Sequence, residues 1–239
     1  MATQTACPTL RDLPAALAFY SQFIRPGDLC FDIGAFVGVR TATFVELGAR
    51  VIAVEPQAKC IEQLRQQFHD HPRVTIVPQG VAAEPGVLTL SVCEAAPTIS
   101  TFSPKWKTGR FSRYEWPSTV DVPVTTLDAL IEEHGVPVFC KIDVEGFEYS
   151  VLQGLSWPIA TVSFEFAKEF LEDAERCMMY LASLGEAEFN YAYGEEALFR
   201  RPTWTDASTL LAHLHASDDE TLCGDIYARF RCCRGDGVV

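Results

Sequence analysis

Leu29-Cys30-Phe31-Asp32-Ile33-Gly34-Ala35-Phe36-Val37-Gly38 is the stretch whose reading decides the fold. A short run of buried-strand character ends at a glycine turn, and helical spacing resumes at Gly38. Glycines there let the backbone turn sharply and pass close to a ligand. The helix that follows, from about Gly38 to Leu47, stops at Gly48, a favourable residue just past a helix end. Val51–Val54 is then a second strand, closed by Glu55-Pro56.

The alternation continues in both directions. Upstream, a tail (1–10) precedes helical spacing from Arg11 to Phe23, so residues 1–27 read as tail and helix and 28–239 as one domain. Downstream come a helix at Ala58–Phe68, a strand at Val74–Val77, an extra strand at Val87–Val92 and an irregular segment from Glu94 to Ser118. Thr119–Val124 is extended, and Leu127–Glu133 is helical. Strand Val138–Ile142 precedes a helix at Gly146–Gln153, and strand Thr161–Phe166 precedes a helix at Glu169–Leu184. Strands Phe189–Tyr193 and Ile226–Phe230 flank a helix at Ala207–His215. Strands alternating with helices predict a doubly wound, mostly parallel Rossmann-like α/β sheet covered on both faces, with an inserted loop and strand region around 86–124.

Composition narrows the function. A net charge of −13 argues against a nucleic-acid partner, which would need a cationic surface. Of the nine cysteines, Cys7, Cys30, Cys60, Cys93 and Cys140 are isolated and Cys232 and Cys233 adjacent, so metal-type spacing is lacking and reduced thiols are expected. The N-terminus shows no basic region followed by an apolar stretch, and no run is long enough to span a bilayer. A cytoplasmic setting with no membrane partner is the expectation.

In such sheets ligands lie beyond the carboxyl ends of the strands, where strand order reverses. Asp32 stands where the dinucleotide fingerprint has its first glycine, and an acid is a poor neighbour for a pyrophosphate. It suits a phosphate-free ligand carrying positive charge, a description that S-adenosylmethionine meets; the competing role is capping of the turn. Glu55, at the end of the second strand, stands where an acid grips ribose hydroxyls. Gln79-Gly80-Val81-Ala82 is placed to border an adenine. The candidate donor contacts are therefore Asp32, Gly34, Ala35, Phe36, Gly38, Glu55, Pro56, Gly80 and Val81.

Asp32–Gly38 and Val54-Glu55-Pro56 together look like class I methyltransferases. Lys141-Ile142-Asp143-Val144-Glu145-Gly146-Phe147-Glu148 resembles the most characteristic motif of the FkbM methyltransferase family. Thr125-Thr126-Leu127-Asp128 and Gly224-Asp225-Ile226-Tyr227-Ala228-Arg229 are similar to further features of that family, so the resemblance spans roughly 28–231. It implies a seven-stranded sheet with the last strand antiparallel, S-adenosylmethionine as donor, and methylation of an oxygen on a sugar, glycoside or secondary metabolite. Asp32, Gly34 and Gly38 match its donor turn, and Glu55 its ribose ligand. Phe36 stands where many members carry a small or polar residue, and Gly80 where many carry asparagine.

Three carboxylates converge at the chemical end. Asp143 ends the fourth main strand, Glu145 follows it, and Glu165 sits near the end of the fifth. One reading makes Asp143 or Glu145 the general base for a hydroxyl acceptor; a second makes Asp143 and Glu165 ligands of a divalent cation; in a third, Glu145 or Glu165 merely neutralises Lys141. His134, His213 and His215 are further bases by chemistry, with packing the simpler role. Lys105, Lys107, Arg110 and Arg113, interleaved with Trp106, Phe111, Tyr114 and Trp116, concentrate cations and aromatic faces in the long irregular segment. Ser100, Lys105, Trp106, Arg110 and Trp116 are the candidate contacts to a small-molecule or glycan acceptor, the cations suiting a phosphate or carboxylate on it. A solvated loop, or a homo-oligomer contact through the tryptophans, is the competing use. A nicotinamide-dependent oxidoreductase and a non-catalytic nucleoside-binding module are the rival functions.

Overall fold

The computed structural model describes residues 13–194 and 196–231. The tail, the expected helix start at Arg11, and Cys7, Cys232 and Cys233 lie outside the described residues. In chain order the elements are α1 (Leu13–Tyr20), β1 (Leu29–Ile33), α2 (Val39–Glu46), β2 (Arg50–Val54), α3 (Ala58–Gln67), β3 (Val74–Val77), β4 (Gly80–Val81), β5 (Gly86–Val92) and β6 (Ser118–Thr125). They continue with α4 (Leu127–His134), β7 (Phe139–Ile142), α5 (Glu148–Gln153), β8 (Thr161–Ala167), α6 (Leu171–Leu184), β9 (Ala187–Tyr193), α7 (Ala207–His215) and β10 (Cys223–Phe230).

Seven strands form one sheet in the order β3-β2-β1-β7-β8-β10-β9. β1, β2, β3, β7 and β8 pair in parallel, and β10 runs antiparallel to both β8 and β9. The expected doubly wound sheet with an antiparallel last strand is therefore observed. Chain order reverses between β1 and β7, which puts the binding crevice beyond their carboxyl ends.

Period-two alternation gives each strand two buried faces. Phe31, Ile33, Ile52, Val54, Cys140, Ile142, Val162 and Phe164 pack with residues of α4, α5, α6 and α7. Cys30, Val51, Phe139 and Tyr227 face the other way, against α1 and α2, and Ala53 packs with α3. By the same alternation, Asp32, Lys141, Ser163, Glu165 and Asp225 lie on the α1–α3 side. Their registers run Asp32 beside Lys141, Lys141 beside Ser163, and Glu165 beside Asp225. A polar row thus crosses four strands through an otherwise apolar layer.

The inserted region is more ordered than its sequence indicates. β5 and β6 pair antiparallel as a hairpin-like unit, and β6 also takes β4 as a parallel neighbour, making a separate small sheet in the order β4-β6-β5. A two-residue strand is too short to show any period, so β4 is invisible to pattern reading. Between β5 and β6 the irregular segment folds into three single 3-10 turns at Pro97–Ile99, Lys105–Lys107 and Gly109–Phe111. The expected helix at Glu169 begins instead at Leu171, after a 3-10 turn over Lys168–Phe170. α1 closes at Tyr20 rather than Phe23.

Candidate active site

The first strand end is tied to the second by backbone bonds. The N–H groups of Gly34 and Ala35 both donate to the Val54 carbonyl, at 2.9 and 3.0 Å. Glu55, which is buried, then reaches back: its Oε2 accepts from the Phe36 N–H at 2.9 Å and its Oε1 from the Gln57 N–H at 2.8 Å. Phe36 holds a left-handed backbone (φ 49°) to make this contact. Burial lifts the Glu55 carboxyl to about 7, against the lowering effect of those two N–H donors. Each oxygen keeps a lone pair free for a further donor.

Gly34 is required where it stands. Its φ is +81°, and a Cβ there would lie 1.8 Å from the Asp143 carbonyl oxygen. The ends of β1 and β7 touch at this point, so Gly34 fixes how near the donor turn sits to the carboxylates. Gly38 closes the turn, its N–H donating to the Ala35 carbonyl, and packs against Leu64 of α3 and Phe68 just beyond it. Asp32 accepts a 2.5 Å hydrogen bond from the Thr41 hydroxyl of α2. Its carboxyl is raised by burial, with Thr41 and Lys141 opposing the rise. Asp32 thus fastens the first turn of α2 to the sheet. Pro56 is half-buried between Glu55 and Gln57. Gly80 and Val81 are buried β4 residues, and the Phe102 ring lies over Gly80.

Beyond β7 the chain reverses at Glu145 and Gly146, both left-handed (φ 57° and 86°). A non-glycine residue held in that region costs of order 1 kcal/mol, and such residues gather at functional sites. The reversal is capped from behind by the Glu148 Oε1, which accepts from the N–H groups of Val144 and Gly146 at 3.2 and 3.1 Å. Burial pushes Glu148 up to about 7. The result aims Asp143, Glu145 and, from β8, Glu165 at one point: their carboxylate oxygens lie within 4.8 Å of one another. Burial and the neighbouring carboxylates raise Glu145 and Glu165 well above the ordinary range. The Glu165 Oε2 is buried and unpartnered.

Lys141 forms no ion pair with either glutamate. Its Nζ, fully buried, binds Asp225 of β10 at 2.8 Å and Asp143 at 3.1 Å. Burial alone would lower a lysine's pKa, but these two carboxylates outweigh it and raise Lys141 well above its usual value. The expected pairing with Glu145 or Glu165 is therefore corrected: β10 returns between β8 and β9 and brings a carboxylate from 84 residues away in sequence. Asp225, lying in an apolar strand, is the signal that could have found it, since a buried acid needs a partner.

The segment between β5 and β6 forms a roof along the carboxyl edge of the sheet. Gln57, just after β2, donates from its amide to the Pro97 carbonyl. Thr101 donates its hydroxyl to the Glu145 carbonyl at 2.6 Å. Trp106, buried among Phe111 and Phe170, rests on Gly146, where a Cβ would come within 2.6 Å of the indole. Its Nε1 faces Glu145 closely enough to oppose the rise in that carboxyl, yet falls short of a hydrogen bond. Lys105 binds Asp173 at the start of α6 at 2.7 Å and lies over the Phe170 ring. Lys107 donates to the Ser91 hydroxyl, and Ser100, buried, accepts from the Cys93 N–H. Trp116 is half-buried just before β6; the Arg110 side chain lies outside the described residues. Lys105 and Lys107 are thus engaged with the protein itself rather than held out for an anion.

The three histidines lie elsewhere. His134 lines a cleft of about 230 Å³ at the opposite end of the strands, with Leu29, Arg50 and Arg73. His213 pairs with the Tyr191 hydroxyl at 3.1 Å, and His215 lies at the end of α7, its carbonyl held by Lys168.

The family model described as the methyltransferase FkbM domain matches residues 32–193, more than half of the chain. No curated protein matches the sequence. Among solved structures, precorrin-6y C5,15-methyltransferase from Geobacter metallireducens is similar at 11% identity and a TM-score of 0.50, covering 96% of this chain and 94% of that one. An S-adenosylmethionine-dependent O-methyltransferase from Thermotoga maritima covers 97% and 69% at 11% identity and a TM-score of 0.44. Fibrillarin from Aeropyrum pernix, solved with S-adenosylmethionine bound, covers 90% and 76% at 10% identity and a TM-score of 0.49. At such identities the likeness is one of fold.

Proposed function

The chain belongs to the FkbM methyltransferase domain family, and on that footing we propose that it transfers a methyl group from S-adenosylmethionine to a hydroxyl oxygen of a small-molecule or glycan acceptor. The observation that carries this reading is the Glu55 knit: a buried carboxylate fixed by two backbone N–H groups at the strand end beside the glycine turn. There it accepts from the ribose hydroxyls, with Gly34, Ala35, Phe36, Gly38 and Pro56 shaping the turn, Gly80 and Val81 bordering the adenine, and the negative Asp32 end favouring a cationic donor. An acid in place of the first fingerprint glycine weighs against a pyrophosphate, and with it against the nicotinamide-dependent alternative.

Transfer is an in-line displacement. The acceptor oxygen forms a bond to the methyl carbon, the carbon–sulfur bond breaks, and its electron pair stays on sulfur to leave a neutral thioether. The hydroxyl proton passes to the carboxylate cluster, with Asp143 or Glu145 as base and Glu165 completing the polar end. Alignment supplies much of the rate, and a positioned base contributes about 10²–10⁴-fold. A carboxylate cluster suits a hydroxyl acceptor, which loses its proton as it attacks. Ser100, Lys105, Trp106, Arg110 and Trp116 belong to the roof segment, where an acceptor lies against aromatic faces. The charge of −13 disfavours a nucleic-acid acceptor, and no helix among the described residues is long and apolar enough to cross a membrane.

Incubation with methyl-labelled donor and a cell extract, followed by identification of the labelled product, tests this directly. An O-methyl ether on a small molecule or glycan is the expected product. Label on carbon or on RNA would overturn the oxygen assignment, and binding of NAD in place of S-adenosylhomocysteine would overturn the donor.

A further inference from the structure

We propose that Asp143, Glu145 and Glu165 form a divalent-cation site that holds the acceptor hydroxyl, an inference that rests on the O-methylation reading for its chemistry but not for its test. Three carboxylates share one point, their oxygens within 4.8 Å of one another. Oxygens bound about 2.1–2.4 Å from one divalent cation lie roughly 3–4.8 Å apart, so the spacing already suits a single hard ion. Charge points the same way. Lys141 is committed to Asp143 and Asp225 together, and Glu148 spends its Oε1 on the backbone of the turn. No ion pair among the described residues reaches Glu145 or Glu165.

A second observation is independent of the acids. Trp106 is only 4% exposed, its Nε1 lacks a hydrogen-bond partner, and it is turned toward Glu145. A buried donor left unmade costs roughly 1–3 kcal/mol. An oxygen of water or of an acceptor hydroxyl standing between the indole and the carboxylates would accept that N–H, and a cation beside it takes up the unpartnered, buried Glu165 Oε2. Asp143 gives its Oδ2 to Lys141 and keeps Oδ1 for the ion. Three protein ligands leave about three positions of a six-coordinate ion for water and acceptor. The cation lowers the pKa of the hydroxyl beside it, the oxygen attacks the methyl carbon as the carbon–sulfur pair returns to sulfur, and the proton goes to a carboxylate oxygen not bound to the ion.

The test is titration of the full chain with Mn²⁺, followed by electron paramagnetic resonance, with S-adenosylhomocysteine titrated calorimetrically into the same samples. One tight Mn²⁺ per chain is expected, weakened at least about tenfold by Glu165→Gln and by Glu145→Gln, since affinity follows the count of charged ligands. Glu62→Gln, on an exposed face of α3, controls for the general acidity of the chain and leaves the binding unchanged. Where one glutamine variant fails to fold, the other decides. Absence of Mn²⁺ binding at millimolar concentration, or equal binding by the glutamine variants and the parent, overturns the site. Binding of S-adenosylhomocysteine without Mn²⁺ removes the ion and keeps the donor reading; Mn²⁺ without S-adenosylhomocysteine does the reverse.

Discussion

The two ends of the crevice are built on opposite plans. At the β1–β2 end the two buried acids are held from within: Glu55 by two backbone N–H groups, Asp32 by Thr41. At the β7–β8 end a buried lysine joins two acids, and the next two acids and an indole N–H are left facing one another. The first end is a preformed mould, its acids tied to the backbone and to α2. The second holds charge in excess and awaits a proton, an ion or an acceptor to balance it. Binding suits the first arrangement; proton transfer suits the second.

The comparison breaks most severely at Lys141. Lys141→Met leaves Asp225 and Asp143 without their shared cation, and removing one partner of a buried pair costs about 3–5 kcal/mol. Thermal or denaturant unfolding should show a loss of this size, and Lys141→Met combined with Asp225→Asn should recover part of it. The direction of the shift sets the pH range. Lys141 is raised above its unfolded value, so its contribution is fully present below about 10.5 and lost only as the pH rises through the still higher folded value. An unfolding midpoint for Lys141→Met equal to the parent's would show that the pair contributes nothing.

Gly34 couples the two ends and is the next largest. Gly34→Ala drives a methyl group into the Asp143 carbonyl at a left-handed position, and relief requires β1 and β7 to separate at the crevice. A loss of about 3 kcal/mol is expected, together with loss of S-adenosylhomocysteine binding measured by calorimetry. Gly86→Ala, where a Cβ meets open space, serves as the contrast and should change little.

These two residues also mark what could be read in the sequence. The mould is contiguous: strand, glycine turn, helix, strand and Glu55 fall within about thirty residues, and each has a local signature. Asp143, Glu145 and Glu165 were legible for the same reason, as residues at the ends of apolar strands. The partner of Lys141 was not, because Asp225 is brought beside it only by the antiparallel return of β10. Nor was the roof, where Trp106 finds its place through Gly146, Phe111 and Phe170 rather than through any period of its own. β4 owes its two residues of pairing to β6, about forty residues on. Local pattern fixes which segments are strands; the polar contacts between strands distant in sequence follow from topology.

Glu55 sharpens the comparison through pH. Its carboxyl sits at about 7, and only the ionised form accepts from both ribose hydroxyls. Affinity for S-adenosylhomocysteine should therefore be level above that pH and fall below it, approaching tenfold per unit as the protonated form dominates. Glu55→Gln should flatten this dependence and lower the plateau by roughly 10- to 100-fold, the value of hydrogen bonds to a charged group. Calorimetry from pH 5.5 to 8.5 (roughly 1.5 units either side of that carboxyl) checks both points. A slope that survives in Glu55→Gln would assign the titration to another carboxyl.

The smallest effect belongs to the roof. Lys105 and Asp173 are 45% and 29% exposed on their side chains, so their pair is screened by water and contributes about 0–1 kcal/mol. Lys105→Ala should leave the unfolding midpoint nearly unchanged. If the pair instead serves to latch the segment over the carboxylates, the variant should speed amide hydrogen exchange across residues 105–111 while exchange in β1 and β2 stays as in the parent. Unaltered exchange in both places would leave Trp106, seated on Gly146 among Phe111 and Phe170, as the fastening of the roof. Apolar burial of one indole would then outweigh an exposed ion pair at the edge of the same site, as its larger buried area leads one to expect.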